Sequence, residues 1–345
     1  MTADLTRPGP SPELVERVAS VKAYSKATIT EGTRESYKRL FRGFTAWCQQ
    51  MGVPSLPSTP EVIAMYLAAL ADGQVVVRWT HPKTGTTREV SRPRKAAYIE
   101  KAYYAIRFHH AEAGHELPQA HPGIVKVMKG IRRKLGTAQK KAQPMTIELL
   151  REILTKYHRH PPENELRDKT MLALQVWGGL RRGELLAIRI EDLEFSEHGV
   201  IVHLPRSKCD AEGKGAMVPI PRVKDPIMCP VGYVERWIAH LAELDIRSGW
   251  LFRRVNGDGL MGAQRMHPDS WGPLIKAIAD NAGVDASRIT THSPRAGFAT
   301  SAAHKGKTLE QIMRHGRWTS ERQARSYIRP ATVWIDNAAE GLADE

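Results

Sequence analysis

From Thr33 onward, apolar side chains recur with the period of a helix. Tyr37, Leu40, Phe41, Phe44, Trp47, Cys48 and Met51 fall on one face before Gly52 interrupts the run. The stretch STPEVIAMYLAALADG predicts a second helix, with Thr59 as N-cap and Pro60 at the first helical position. KAAYIEKAYYAIRFHHAEAG predicts a third helix closed by Gly114, and GIVKVMKGIRRKLG a short, strongly basic fourth. Between the second and third, VVVRWTHPKTGTTREV sets β-branched residues on either side of a Lys-Thr-Gly turn, which predicts a small hairpin or an exposed loop.

LGTAQKKAQPMT then breaks the pattern with Gly, Pro and paired lysines, and a new helix opens at TIELLREILTKY. The expected organisation is a loosely ordered segment at 1–25, rich in Pro, Ser and charge, a helical bundle at 26–135, a linker at 136–146 and a second domain at 147–345. In the second domain, RDKTMLALQVWGGLRRGELLAIRI predicts two helices joined by a Gly-Gly turn. The period changes to that of strands at 200–204 and 216–220, which flank a polar loop and predict a hairpin. Helical spacing returns in CPVGYVERWIAHLAEL, PDSWGPLIKAIADNAG, PRAGFATSAAHKG and TLEQIMRHG. The fold class expected is mainly α, with a helical N-terminal domain and a mostly helical C-terminal domain carrying a small antiparallel sheet.

Charge sharpens this. The chain has 345 residues and a net charge of +14, an excess that points to a polyanionic partner, most often nucleic acid. Residues 1–145 hold 23 Lys and Arg against 11 Asp and Glu; the remainder holds 28 against 26. One half is thus suited to gripping phosphates, and any positive site in the other must be locally concentrated. Cys48, Cys209 and Cys229 form no CxxC pair, which argues against a disulfide framework or a cysteine zinc site and for a reducing, cytoplasmic setting. No apolar run of membrane-spanning length and no signal-peptide core is present in the sequence, so no membrane association is expected.

Four places in the second half offer groups that bind anions or move protons. Arg181 and Arg182 open a predicted helix in GGLRRGELLAI, with Glu184 one turn beyond Arg181 and able to hold it. Lys208 lies on the hairpin loop in PRSKCDAEGK. His292 and Arg295 are three apart in THSPRAGFAT and share a helical face. Trp318 precedes Tyr327 by nine positions in RWTSERQARSYIRP, where the phenol has Arg325 and Arg329 two residues to either side. Singly, each is more often structural: surface charge, a solvated lysine, an intrahelical pair, a core aromatic. Jointly they meet the needs of attack on a phosphodiester. Two guanidinium groups grip non-bridging oxygens through planar paired bonds and stay charged. A lysine on a loop can protonate the leaving oxygen. A phenol near arginines and a histidine is favoured as the phenolate, and a tyrosyl phosphate ester conserves bond energy for religation.

In this combination and order the residues resemble the tyrosine recombinase (phage integrase) family. GLRRGELLAI is similar to the family's first box, and its register picks Arg181 rather than Arg182 as the catalytic arginine. HSPRAGFAT resembles the second box and assigns His292 and Arg295. HGRWTSERQARSYIR resembles the last box, whose tyrosine follows a His or Trp by nine positions; Trp318 fills that place, as in Cre-type members, and Tyr327 is the implied nucleophile. Lys208 fits the family's β-hairpin lysine. The resemblance implies a core-binding domain at 26–135 that clamps DNA with the catalytic domain. It implies a reaction without metal or cofactor, through a 3′-phosphotyrosyl intermediate and a Holliday junction, on a double-stranded DNA recombination site. It also implies a dimer on one site and a homotetramer on two. Arg181, Arg295, His292 and Trp318 would bind and polarise the phosphate, Lys208 would protonate the leaving 5′-oxygen, and Glu184 would orient Arg181. Trp318 has a second reading, as packing beneath the nucleophile helix. Arg314, His315 and Arg317 are further candidates for the pocket wall, and VVVRWTHPKTGTTREV is longer than the family's usual link at this place. The tail PATVWIDNAAEGLADE offers Val333, Trp334 and Leu342 as anchors for docking on a neighbouring protomer. The alternatives are a type IB topoisomerase, a non-catalytic DNA-binding module of the same fold, and a metal site at His109, His110 and His115.

Overall fold

The computed structural model describes residues 28–80, 84–117, 121–137, 142–205, 215–255 and 261–328, with isolated positions before residue 28. The chain divides into two compact units, residues 1–139 and 140–345. No helix among the described residues is long and apolar enough to cross a membrane.

In the first unit, Thr30 caps helix α1 (Glu31–Met51) by accepting the Thr33 N–H, and Gly52 at φ 67° closes it. Leu40, Phe44, Trp47 and Cys48 are buried along one face. Met51, on the same predicted face, is 55 % exposed at the last position of the helix; apolar spacing reports a face, not where its packing partners end. Thr59 caps α2 (Pro60–Asp72). The stretch that follows is a hairpin, β1 (Val76–Thr80) against β2 (Thr87–Ser91), with Val76 opposite Ser91 and Thr80 opposite Thr87. Helix α3 (Ala96–Glu112) packs on α1, and α4 (Pro122–Leu135) on α2. Phe44, Ile63, Leu67, Ile99 and Ile106 form the centre of this core.

The histidines of α3 belong to that core. His110 is buried; its Nε2 accepts the Ser58 N–H at 3.0 Å and its Nδ1 donates to the Ile106 carbonyl at 2.8 Å. Both ring nitrogens are therefore occupied. His109 stacks on Phe41, with centroids 4.4 Å apart. Among the described residues no group of three or more His, Cys, Asp or Glu is placed to hold a metal ion.

The second unit is built round α6 (Pro162–Trp177), which follows α5 (Ile147–Lys156). Every side chain from 170 to 176 is buried, as expected of a helix covered on all sides. The short α7 (Arg182–Leu186) leads into a three-stranded antiparallel sheet of β3 (Leu193–Phe195), β4 (Gly199–Leu204) and β5 (Ala216–Pro221). Val202 lies opposite Val218 in the predicted hairpin, and β3 adds an edge strand beside β4. Its connecting loop, 206–214, lies outside the described residues. Helix α8 (Pro230–Glu243) covers α6, and a second hairpin pairs β6 (Arg253–Val255) with β7 (Met261–Arg265). Then come α9 (Pro268–Asn281), α10 (Ser293–His304), α11 (Leu309–Gly316) and α12 (Glu321–Ile328).

Helix α10 reads SPRAGFATSAAH; its small residues let other backbone come close. A Cβ on Gly297 would stand 1.7 Å from the Met145 carbonyl oxygen, so only glycine fits. The entering chain is laid along this helix. Gln143 N–H donates to the Arg288 carbonyl at 3.0 Å, Met145 N–H to the Ser293 carbonyl at 2.9 Å, and Ile147 N–H to Ser301 Oγ at 3.0 Å. The architecture is the one expected: mainly helical, with a small antiparallel sheet.

Candidate active site

The turn through Gly178 and Gly179 delivers Arg181 to the head of α7. Arg181 is extended (φ −73°, ψ 153°), and the Glu184 carboxylate folds back onto it. Oε2 accepts the Arg181 backbone N–H at 2.8 Å and Oε1 accepts its guanidinium Nη1 at 2.6 Å. The next arginine, Arg182, reaches Asp269 at 3.3 Å.

Gln175 anchors the approach to this turn. Its fully buried amide donates from Nε2 to the Leu180 carbonyl at 3.3 Å and to the Thr291 carbonyl at 3.1 Å, and accepts Trp271 Nε1–H at 2.8 Å. One side chain thus joins the residue before Arg181 to the residue before His292. The three bonds satisfy a polar group set in an otherwise apolar helix.

Arg295 projects from α10 into the same place and is 4 % exposed. Its Nη1 donates to the Gly179 carbonyl, and its Nη2 is buried with no partner among the described residues. The guanidinium carbon stands 4.0 Å from the centroid of the Trp318 ring, a cation–π contact. Trp318 lies nearly parallel to Phe298, 12° apart, and its centroid is 5.8 Å from that of Tyr327. The indole also crosses Gly316, where a Cβ would come within 1.9 Å of it. Trp318 therefore packs between Arg295 and the helix of the phenol. Tyr327 is half-buried on α12, and its carbonyl accepts Thr300 Oγ1 at 3.4 Å.

Positive charge is concentrated here. Burial first, then Arg181, pulls Arg295 down to about 9; Glu184 opposes this, Arg317 adds to it, and Tyr327 opposes it, so all four lie within its electrostatic reach. It remains a cation at neutral pH. His292, at the start of α10, keeps solvent access. Burial followed by Arg295, Arg182 and Arg181 holds it below its ordinary value, so its ring is neutral at neutral pH. Burial pushes the Glu184 carboxyl up, but Arg317, the Arg181 N–H and the Arg181 guanidinium outweigh it and hold it below the usual carboxylate range.

Sequence residues 126–332 match the profile of the Phage integrase family. The chain belongs to this family. It is similar to an integrase/recombinase XerD homolog of Selenomonas ruminantium, 31% identical over 311 residues that cover 89% of this chain and 84% of the relative. It is also similar to the recombinase Cre of Escherichia phage P1, 22% identical over 322 residues, 88% of this chain and 85% of the relative. Among solved structures, the integrase of transposon Tn1549 in complex with circular intermediate DNA shares the fold, with a TM-score of 0.59 at 13% identity over 90% of this chain and 94% of that one. The protein is accordingly a tyrosine site-specific recombinase by family.

In this phage integrase family member, Arg181, Glu184, Arg295, Trp318 and Tyr327 come together, with His292 beside the arginines. Lys208 and the anchors Val333, Trp334 and Leu342 lie outside the described residues. Three contributors escape sequence reasoning or are only brushed by it. Gln175 reads as a stray polar residue. Arg317 reaches Glu184 Oε2 at 2.7 Å across 133 positions. His315 donates Nε2–H to the Trp177 carbonyl at 2.9 Å and stacks on Phe298. The available signal for the last two is their place beside Trp318.

Proposed function

We propose that the protein binds a double-stranded DNA recombination site and exchanges strands through a covalent tyrosyl–DNA intermediate. The observation that carries this reading is the run of contacts from Tyr327 to Trp318, from Trp318 to Arg295, and from Arg295 through Gly179 to the turn that presents Arg181. The buried cationic donor Arg295 Nη2 has no partner among the described residues. A phosphate oxygen is the acceptor such a donor suits.

Tyr327 attacks the scissile phosphorus and the phosphorus–O5′ bond breaks as the phosphotyrosyl bond forms. His292, neutral beside the arginines, takes up the phenolic proton in this reading, and Lys208 supplies one to the departing 5′-oxygen. Arg181 and Arg295 meet the charge that grows on the non-bridging oxygens. A partner strand's 5′-hydroxyl then attacks the ester, freeing Tyr327, and a second round resolves the Holliday junction. Exposed Lys126, Lys129 and Arg133 on α4 support a role for residues 26–135 in holding the DNA backbone. Assembly as a homotetramer on two sites is supported by a groove of about 740 Å³ in the second unit, lined by Trp177, Met217, Pro219, Phe298, Ala302 and Ile312. The proposed occupant is the tail of a neighbouring protomer, with Val333 and Trp334 as anchors.

The test is a nicked duplex cut from the DNA that flanks this protein's own coding sequence. The protein forms an SDS-resistant adduct through Tyr327, and Tyr327→Phe binds the duplex but forms none. An adduct with Tyr327→Phe refutes the assignment. Relaxation of plasmids lacking any target site would favour the topoisomerase alternative.

A further inference from the structure

Arg317 closes α11 with φ 57° and ψ 44°, a left-handed conformation that residues other than glycine rarely adopt. A long cationic side chain kept in a place that suits glycine calls for a reason in what that side chain does. Its side chain is 13 % exposed and bonds chiefly to α7 and the turn before it. Nη1 donates to the Gly178 carbonyl at 3.2 Å and to the His315 carbonyl at 2.8 Å, and Nη2 to Glu184 Oε2 at 2.7 Å. In return the Arg317 carbonyl accepts Arg181 Nη2 at 3.1 Å. The next residue is Trp318, and α12 with Tyr327 follows.

We propose that Arg317 is a positioning residue that locks the segment carrying Trp318 and Tyr327 onto the turn that presents Arg181. The proposal rests on the strand-cleavage reading above. The Glu184 carboxylate is the shared element: Oε1 holds the Arg181 guanidinium, and Oε2 takes both the Arg181 N–H and Arg317. Without the Arg317 side chain that carboxylate is held from one side, and only the Arg317 carbonyl still ties the segment of Trp318 and Tyr327 to the Arg181 guanidinium. The charged groups facing Glu184 are Arg181 at its own helix, Arg317 from the end of α11 and Arg295 from α10. Removing Arg317 therefore lets the carboxyl titrate higher.

The test uses Arg317→Gly, which suits the backbone, and Arg317→Lys, which keeps the charge. Both are measured for affinity, folded fraction and single-turnover adduct formation across pH, on the nicked duplex that reacts with the unaltered protein. Arg317→Gly is expected to bind DNA as the unaltered protein does and to slow adduct formation by about 10- to 100-fold, the scale of a misplaced reacting group. The acid limb of its rate profile moves toward neutral pH, and Arg317→Lys restores part of the rate and the original limb. An unchanged rate or an unmoved limb in Arg317→Gly overturns the proposal, as does a rate loss matched by an equal loss of affinity or of folded protein. If the unaltered protein itself forms no adduct, the cleavage reading fails and takes this one with it.

Discussion

Replacing Arg295 with methionine should separate stability from activity. A guanidinium held near 9, against an ordinary value above about 12, costs about 4 to 5 kcal/mol of folding free energy at neutral pH. The stack on Trp318 offsets about 2 kcal/mol of this, and a charged hydrogen bond to the Gly179 carbonyl about 1.5 to 3. The net contribution of Arg295 to folding is therefore near zero or slightly unfavourable. Methionine fills a similar length without a charge to bury, and the Gly179 carbonyl keeps Arg317 Nη2 within 3.5 Å. Without DNA, Arg295→Met should melt at the wild-type temperature or up to about 2 to 4 °C above it. The folded-state value is depressed, so the penalty on the wild type is fully present below pH 9 and is relieved as pH rises through it. The two melting curves should converge on the alkaline side. Adduct formation should meanwhile fall by at least about 100- to 1,000-fold, the cost of one transition-state donor. Calorimetry and single-turnover cleavage on the nicked duplex measure both. A drop in melting temperature of more than about 5 °C, well beyond one kcal/mol, would show that Arg295 is chiefly structural.

Two further outcomes are expected. Truncation after Pro330 should leave binding to a single site intact and abolish synaptic tetramers on gel filtration; tetramers from the truncated protein would refute docking of the tail in trans. Burial first, opposed by the Ile106 carbonyl, holds His110 below its ordinary value, so the unfolded chain takes the proton first and stability is lost as pH falls through about 6.5. The protection factor of the Ser58 amide, read by hydrogen exchange, should fall in that range, and a flat profile would refute it.

The helices were legible because their cues are local. Thr30 and Thr59 cap where polar residues precede apolar periods, and Gly52 and Gly73 end the same helices with positive φ. The strand β3 has three residues, and β7 reads MGAQR, too polar to announce a strand. Pairing made both, and pairing is non-local. The site divides in the same way. Arg181, Arg295, Trp318 and Tyr327 stood out by residue type and order. Arg317 stood out only as a candidate for the pocket wall, because its meaning lies in a carboxylate 133 positions away and in a backbone angle that no spacing reveals. Gln175 was hidden for the opposite reason: it occupies an apolar position and is tolerated there only through partners on three distant segments.

The backbone that enters the second unit is also the backbone that braces α10. Residues 143–147 cannot shift while α10 stays still, because hydrogen bonds to Arg288, Ser293 and Ser301 and the bare contact at Gly297 tie the two as one stiff piece. A displacement of residues 143–147 is therefore passed to the helix bearing Arg295. Lengthening the tether before Gln143 leaves this brace whole, whereas inserting a residue inside 143–147 would throw the lever out of register with the chemistry it supports.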